Sequence, residues 1–140
     1  MAIIGGGPGG GGPIGSSNSF TGPATALEYV ADFCYAYSGQ VLVTTATELL
    51  NFTSGANLVI ANFQFTLGED TTDNIVWEIL LNGSIVSGSL NEAGQAGNPL
   101  QPMMITLPAY TEVIVRATNF TGAPTQRKCY AVIQGRVYRD

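Results

Sequence analysis

The residues in this chain that could do chemistry are few, and most are carboxylates. Glu28 and Asp32 stand four apart in an alternating stretch, the kind of carboxylate pair on which a glycoside hydrolase or lyase is built. The simpler reading is that both line the outer face of a strand, and no enzyme is expected. Glu69, Asp70 and Asp73 fall within Gly68-Glu69-Asp70-Thr71-Thr72-Asp73-Asn74, where carboxylate, hydroxyl and amide oxygens could enclose a hard cation such as calcium. The spacing lacks the ordered ligands and the glycine of an EF-hand loop, so a solvated inter-strand loop is expected and no metal or cofactor is assigned. Histidine is absent, which removes the commonest general base and a leading transition-metal ligand and excludes Ser-His-Asp and Cys-His arrangements.

Two cysteines, Cys34 and Cys129, lack the close spacing of a zinc knuckle or a redox motif. They fall in the first and last strong strands, so a cross-strand disulfide is one reading. Two reduced, buried thiols are the expectation, because nothing at the N-terminus looks secretory. Sequons at Asn51-Phe52-Thr53, Asn82-Gly83-Ser84 and Asn119-Phe120-Thr121 read as turn chemistry in a chain rich in Asn, Ser and Thr. No run approaches the ~20 apolar residues that span a bilayer, so no membrane partner is expected.

The elements that must position these residues are strands. Asn82-Gly83 lies between two apolar runs, and both residues tolerate the positive φ of a type I′ turn, so Ile75 to Leu90 is a β-hairpin. Ile75, Trp77, Ile79 and Leu81 share its core face. Val59, Ala61, Phe63, Phe65 and Leu67 alternate in the same way, as do Val113, Val115 and Ala117. Leu27 to Tyr37 reads as one long strand or two with a bend, and Gln40 to Thr47 as another. Glu48 to Ser54 reads as strand or turn, Met103 to Leu107 as a short strand, and Arg127 to Tyr138 as a closing strand in which Gly135 marks a bulge. Nothing repeats at 3.6 residues. About eight strands joined by Gly, Pro and Asn turns predict an all-β, antiparallel sandwich, with the single jelly roll as first choice.

Composition bounds the function. At 140 residues the chain suits one compact domain. Charged residues make up 11%, against about a quarter in typical soluble domains, and charge is depleted at the centres of protein interfaces because desolvating it is costly. The net charge of -5, with only Arg116, Arg127, Lys128, Arg136 and Arg139 positive, argues against a nucleic-acid partner. Ile60, Ile114 and Val132 lie opposite the core faces of their strands; a contiguous set of that kind would mark an oligomer interface, a trimer by expectation.

Residues 1–23 differ from the rest, being mostly Gly, Pro, Ser, Asn and Thr with isolated Ile3, Ile4, Ile14 and Phe20. Such a segment cannot bury enough to offset its backbone entropy, so residues 1–23 read as an irregular arm and 24–140 as the folded domain. Glycine permits close backbone approach, which suits a strap laid across a neighbouring subunit with those four apolar residues as anchors.

A Gly-rich arm, then Leu107-Pro108-Ala109-Tyr110 leading into Val113-Ile114-Val115, and a final Tyr130-Ala131-Val132-Ile133, together resemble the small single jelly-roll structural proteins of phages and other icosahedral viruses. More distantly they are similar to the trimeric tumour-necrosis-factor and C1q-like domains. The viral resemblance implies a decoration, cement or minor capsid protein. Such a protein is often a homotrimer, made in the host cytoplasm, not secreted, and mounted on the virion surface with its arm gripping the major capsid protein or neighbouring virion proteins. The rival expectation is a vertex or fibre-tip module that binds a receptor or glycan through exposed Tyr, Trp and Asn.

Overall fold

The structure is a computed structural model and describes residues 24–68, 73–91, 102–120 and 126–139. Ten antiparallel strands form two sheets. In chain order they are β1 (Glu28–Val30), β2 (Phe33–Tyr37), β3 (Val41–Val43), β4 (Thr47–Thr53), β5 (Leu58–Leu67), β6 (Ile75–Leu81), β7 (Ser84–Asn91), β8 (Met103–Leu107), β9 (Glu112–Asn119) and β10 (Arg127–Tyr138). The six-stranded sheet runs β1-β2-β10-β5-β8 with β3 also paired to β10, and the four-stranded sheet runs β4-β9-β6-β7. From β3 onward every connection crosses between sheets except the β6–β7 hairpin. That interleaving of two Greek keys is a jelly roll, so the all-β sandwich and its connectivity are as the strand pattern predicts.

The alternating residues face inward as expected. Val59, Ala61, Phe63, Phe65 and Leu67 from β5 meet Ile75, Trp77 and Ile79 from β6 and Val113, Val115 and Ala117 from β9, all buried. Asn82 and Gly83 take φ of 50° and 84°, the positive pair a type I′ turn requires. The turn is also tied down: Asn82 N–H donates to Glu112 O, and Glu112 N–H donates to Asn82 Oδ1, each at 2.9 Å.

One sequence alternative is settled and two expectations need correction. Residues 27–37 are not one long strand but two, and the bend between them is a tight hairpin turn, because Ala31 adopts φ 53° and turns β1 back on β2. Gln40 to Thr47 is not one strand either. β3 ends at Val43, and the chain crosses to the other sheet before Thr47 opens β4. Finally, Gly135 marks no bulge, since β10 keeps its register through it against both Cys34 and Ala61. A Cβ there would sit 2.8 Å from Val59 Cγ1 and 2.9 Å from Cys34 Sγ, so the position needs glycine for close packing. The register shifts occur instead at Leu49 in β4 and at Val86 in β7.

β2 and β3 serve β10 as one interrupted strand. Across the break Ser38 completes the ladder: its N–H donates to Ala131 O at 2.9 Å, and its Oγ accepts from Ala131 N–H at 2.9 Å. Gly39, at φ 66°, lets the chain pass the interruption.

Candidate interaction surface

Among the described residues, the chemistry-bearing side chains of the sequence are not brought together. Glu28 lies on β1, whereas Asp32 sits in the β1–β2 turn, exposed and paired with Arg139 Nε at 3.2 Å, so the two carboxylates do not share a strand. Asp73 is buried, its Oδ2 accepting from Arg127 Nε at 2.8 Å and from Asn119 Nδ2 at 2.7 Å; Glu69 and Asp70 lie outside the described residues. This arrangement gives Asp73 a bracing role, holding the start of β6 against the end of β9 and the start of β10. The same bond makes Asn119 an internal amide, and Asn51, inside β4, bonds Glu48 Oε1 at 2.9 Å. Of the three sequon asparagines only Asn82 sits in a turn.

Cys34 and Cys129 are both buried, and they form no disulfide with each other. Cys34 lies opposite Gly135 and Cys129 opposite Val41, so they are separated by the step from 129 to 135 along β10, about 20 Å at strand spacing. That is far beyond the ~7 Å limit for a disulfide, which settles the choice in favour of two thiols.

What the fold does assemble is the outer face of the six-stranded sheet. In β2 the small residues Cys34 and Ala36 point inward, which turns Phe33, Tyr35 and Tyr37 outward at 45%, 41% and 47% exposure. Register then builds rows across the sheet. Phe33 lies beside Arg136, Ile60 and Thr106; Tyr35 beside Gln134, Asn62 and Met104; Tyr37 beside Val132 and Gln64. Tyr138 extends the first row's end, with the Arg136 guanidinium 5.6 Å from its ring centroid. Tyr130 donates to Gln40 Oε1 at 3.2 Å near the opposite end. At the β1 edge the first two rows continue through Val30 beside Phe33 and Glu28 beside Tyr35, so Arg136 and Glu28 are the charged residues of the three rows.

Two of the three interface residues read from sequence, Ile60 and Val132, are on this face and half-buried. Ile114 is not. It lies on the outer face of the four-stranded sheet, beside Leu80 and Asn51, with the whole core between it and the others. The sequence reading passed over Phe33, Tyr35 and Tyr37, since placing Glu28 and Asp32 on the outer face of one alternating stretch turns these three inward; the available signal was that the opposing positions, Cys34 and Ala36, are small enough to pack against a second sheet.

The arm anchors Ile3, Ile4, Ile14 and Phe20 lie outside the described residues. The point where the arm joins the body is described: Ala24 N–H donates to Leu49 O at 3.1 Å and Ala24 O accepts from Asn51 N–H at 3.0 Å, along the outer edge of β4.

No family model matches the sequence, and no curated protein does. Among solved structures the chain is similar to PliG of Aeromonas hydrophila, a periplasmic inhibitor of g-type lysozyme, at 10% identity and a TM-score of 0.40, covering 83% of this chain and 98% of that one. It is also similar to a chain in the structure of infectious bursal disease virus Gx strain, at 16% identity and a TM-score of 0.42, covering 97% of this chain but 38% of the viral one. Neither likeness bears on function, and the jelly-roll assignment rests on the strand pairing.

Proposed function

We propose that this chain is a non-enzymatic structural protein of a virion that decorates or cements a capsid. It docks through the outer face of the six-stranded sheet, while residues 1–23 reach neighbouring capsid subunits from the edge of β4. The observation that carries this reading is the face itself: Phe33, Tyr35, Tyr37, Ile60, Met104 and Val132 exposed or half-exposed among amides, with Arg136 and, at the β1 edge, Glu28 as the charges in three rows. Tyr, Phe, Met and Arg are the residue types enriched in protein interfaces. The strands β2, β10, β5 and β8 hold 5, 12, 10 and 5 residues, so at about 3.3 Å per residue and about 4.8 Å between strands they present roughly 500 Å², the larger part of one partner's share of a standard interface. A homotrimer in which this face meets a different patch of the next copy accommodates the same composition.

The experiment is to add purified chain to particles stripped of it and measure occupancy. Full-length chain should bind stoichiometrically, whereas Tyr35→Ser with Tyr37→Ser, and separately a truncation starting at Ala24, should lose binding while melting like the parent. Equal decoration by all three would defeat the reading.

One observation favours a receptor- or glycan-binding module as the second reading. The amides of Asn62, Gln64 and Gln134 lie in the same rows as the Tyr35 and Tyr37 rings, the mixture of flat apolar faces and hydrogen-bonding groups that sugars stack against. Binding to host cells or glycan arrays that vanishes with Tyr35→Ser, without particle binding, would select it.

A further inference from the structure

β7 ends the four-stranded sheet and β8 ends the six-stranded one, and the two edges lie on the same flank, where Ser87 Oγ donates to Met103 Sδ at 2.9 Å. The eight residues of β7, SIVSGSLN, and the five of β8, MMITL, include no Asp, Glu, Lys, Arg or Pro. The opposite flank is built otherwise. There Ala24 takes up main-chain groups of Leu49 and Asn51 on the outer edge of β4, and β1 is only three residues long and carries Glu28. Among the described residues no main-chain group bonds to the outer edge of β7. Sheet proteins ordinarily blunt such an edge with charge, proline or brevity, since its unpaired N–H and C=O groups template another strand. β7 has none of these three devices; its one irregularity is the bulge at Val86.

We propose that β7 is a strand-addition site, and that its occupant is β7 of a second copy, antiparallel across a two-fold axis, joining two four-stranded sheets into one of eight. The charge pattern selects this occupant. When a strand meets its own copy, every residue faces one drawn from the same short list, and a charged edge would set like charges opposite each other. Here the list is Ser, Ile, Val, Gly, Leu and Asn, so no register is penalised. Ile85 and Leu90, 56% and 46% exposed on the outer face of this edge, gain apolar cross-strand neighbours in the pair. The edge is about 26 Å long, and one strand pairing buries less than a standard interface, so the contact belongs at the weak end of specific association, in the micromolar range or above.

This contact goes beyond the docking face. It lies on a different flank, and a two-fold contact is distinct from a three-fold one. Copies joined by both would extend into a net instead of closing as a ring.

The test follows the full chain by sedimentation equilibrium and hydrogen exchange from about 10 to 500 µM. Dimers should appear with concentration, and exchange should slow in β7 specifically. Ile85→Lys combined with Leu90→Lys should weaken association at least ~10-fold at unchanged melting temperature; mixing that variant with Ile85→Asp/Leu90→Asp should restore pairing, which a folding defect would not do. Val86→Lys, at the exposed bulge, is a second single-site probe. Tyr35→Ser, on the docking face, should leave this association intact, so loss of particle binding and loss of β7 pairing are read separately. The proposal is overturned if β7 is already protected in the monomer at the lowest concentration, if its exchange does not depend on concentration, or if the lysine variants associate like the parent.

Discussion

The indole of Trp77 on β6 lies stacked on the ring of Phe65 on β5, centroids 5.1 Å apart and planes within 7°, so one aromatic pair bridges the two sheets at full burial. Removing the indole deletes both the inter-sheet contact and a large volume that neighbours cannot refill. Trp77→Ala should therefore cost about 3–5 kcal/mol, enough to unfold much of a marginal domain. Urea unfolding followed by far-UV circular dichroism checks it. A midpoint within error of the parent would mean that the stack does not hold the sheets.

Burial pushes the Cys34 thiol up from its ordinary value near 9.0, against a smaller lowering by a hydrogen bond with the Gly135 backbone. The folded state thus favours the neutral thiol. Its contribution to stability is fully present below the ordinary value and is lost as pH rises from there through the raised folded value. Melting temperature should fall more steeply above pH 9 in the parent than in Cys34→Ala, and native protein should resist thiol reagents until unfolded. Parallel pH profiles for the two proteins would refute this.

Gly135→Ala should destabilise although alanine ordinarily costs a strand less backbone entropy than glycine. The new methyl would meet Val59 Cγ1 and Cys34 Sγ at under 3 Å, and overpacking a close-packed site typically costs about 1–3 kcal/mol. Thermal melts of Gly135→Ala and of the compensated pair Gly135→Ala/Val59→Ala test the cause. Only if the second variant regains stability is steric crowding the reason.

Asp73→Asn removes the charge that accepts from both Arg127 and Asn119. A charge-assisted hydrogen bond in such a setting contributes about 1.5–3 kcal/mol, and a loss of that size in chemical denaturation is expected. Asn119, its amide already engaged, should remain unglycosylated in a secreting host, which intact-mass spectrometry would show.

How far the fold was legible depended on whether each turn used the residue its geometry favours. Asn82-Gly83 takes positive φ with residues that adopt it at little cost, and the hairpin could be placed from sequence. Ala31 takes φ 53° with a residue that ordinarily avoids it, so the sequence left one long strand and two with a bend as open alternatives there. Alternation located β5, β6 and β9 because their inner residues are bulky and apolar. It could not orient β2, where the inward pair Cys34 and Ala36 is small and the outward residues are Phe and Tyr; tyrosine, with an apolar ring and a polar tip, suits either side.

The three interface residues do not form one contiguous set, for another reason. Ile60, Val132 and Ile114 each oppose a core face, but alternation gives the side of a strand and not the sheet to which the strand belongs. Only pairing places β9 in the other layer. Asp73 likewise read as one of a row of loop acids, because its partners Arg127 and Asn119 are 54 and 46 residues away.

The position of β10 sets when the molecule can form. It is the tenth strand in the chain yet sits inside the six-stranded sheet, bonded to β2 and β3 on one side and β5 on the other. During synthesis the earlier strands of that sheet wait without their common partner until residues 127–138 have left the ribosome, about ninety residues after β2. Closing contacts of such long sequence separation is slow, and the waiting strands expose the same uncharged edges that templating favours. Folding yield should thus depend on temperature and expression rate more than the stability of the finished sandwich would suggest, with the aromatic strand β2 the first to be captured by another chain.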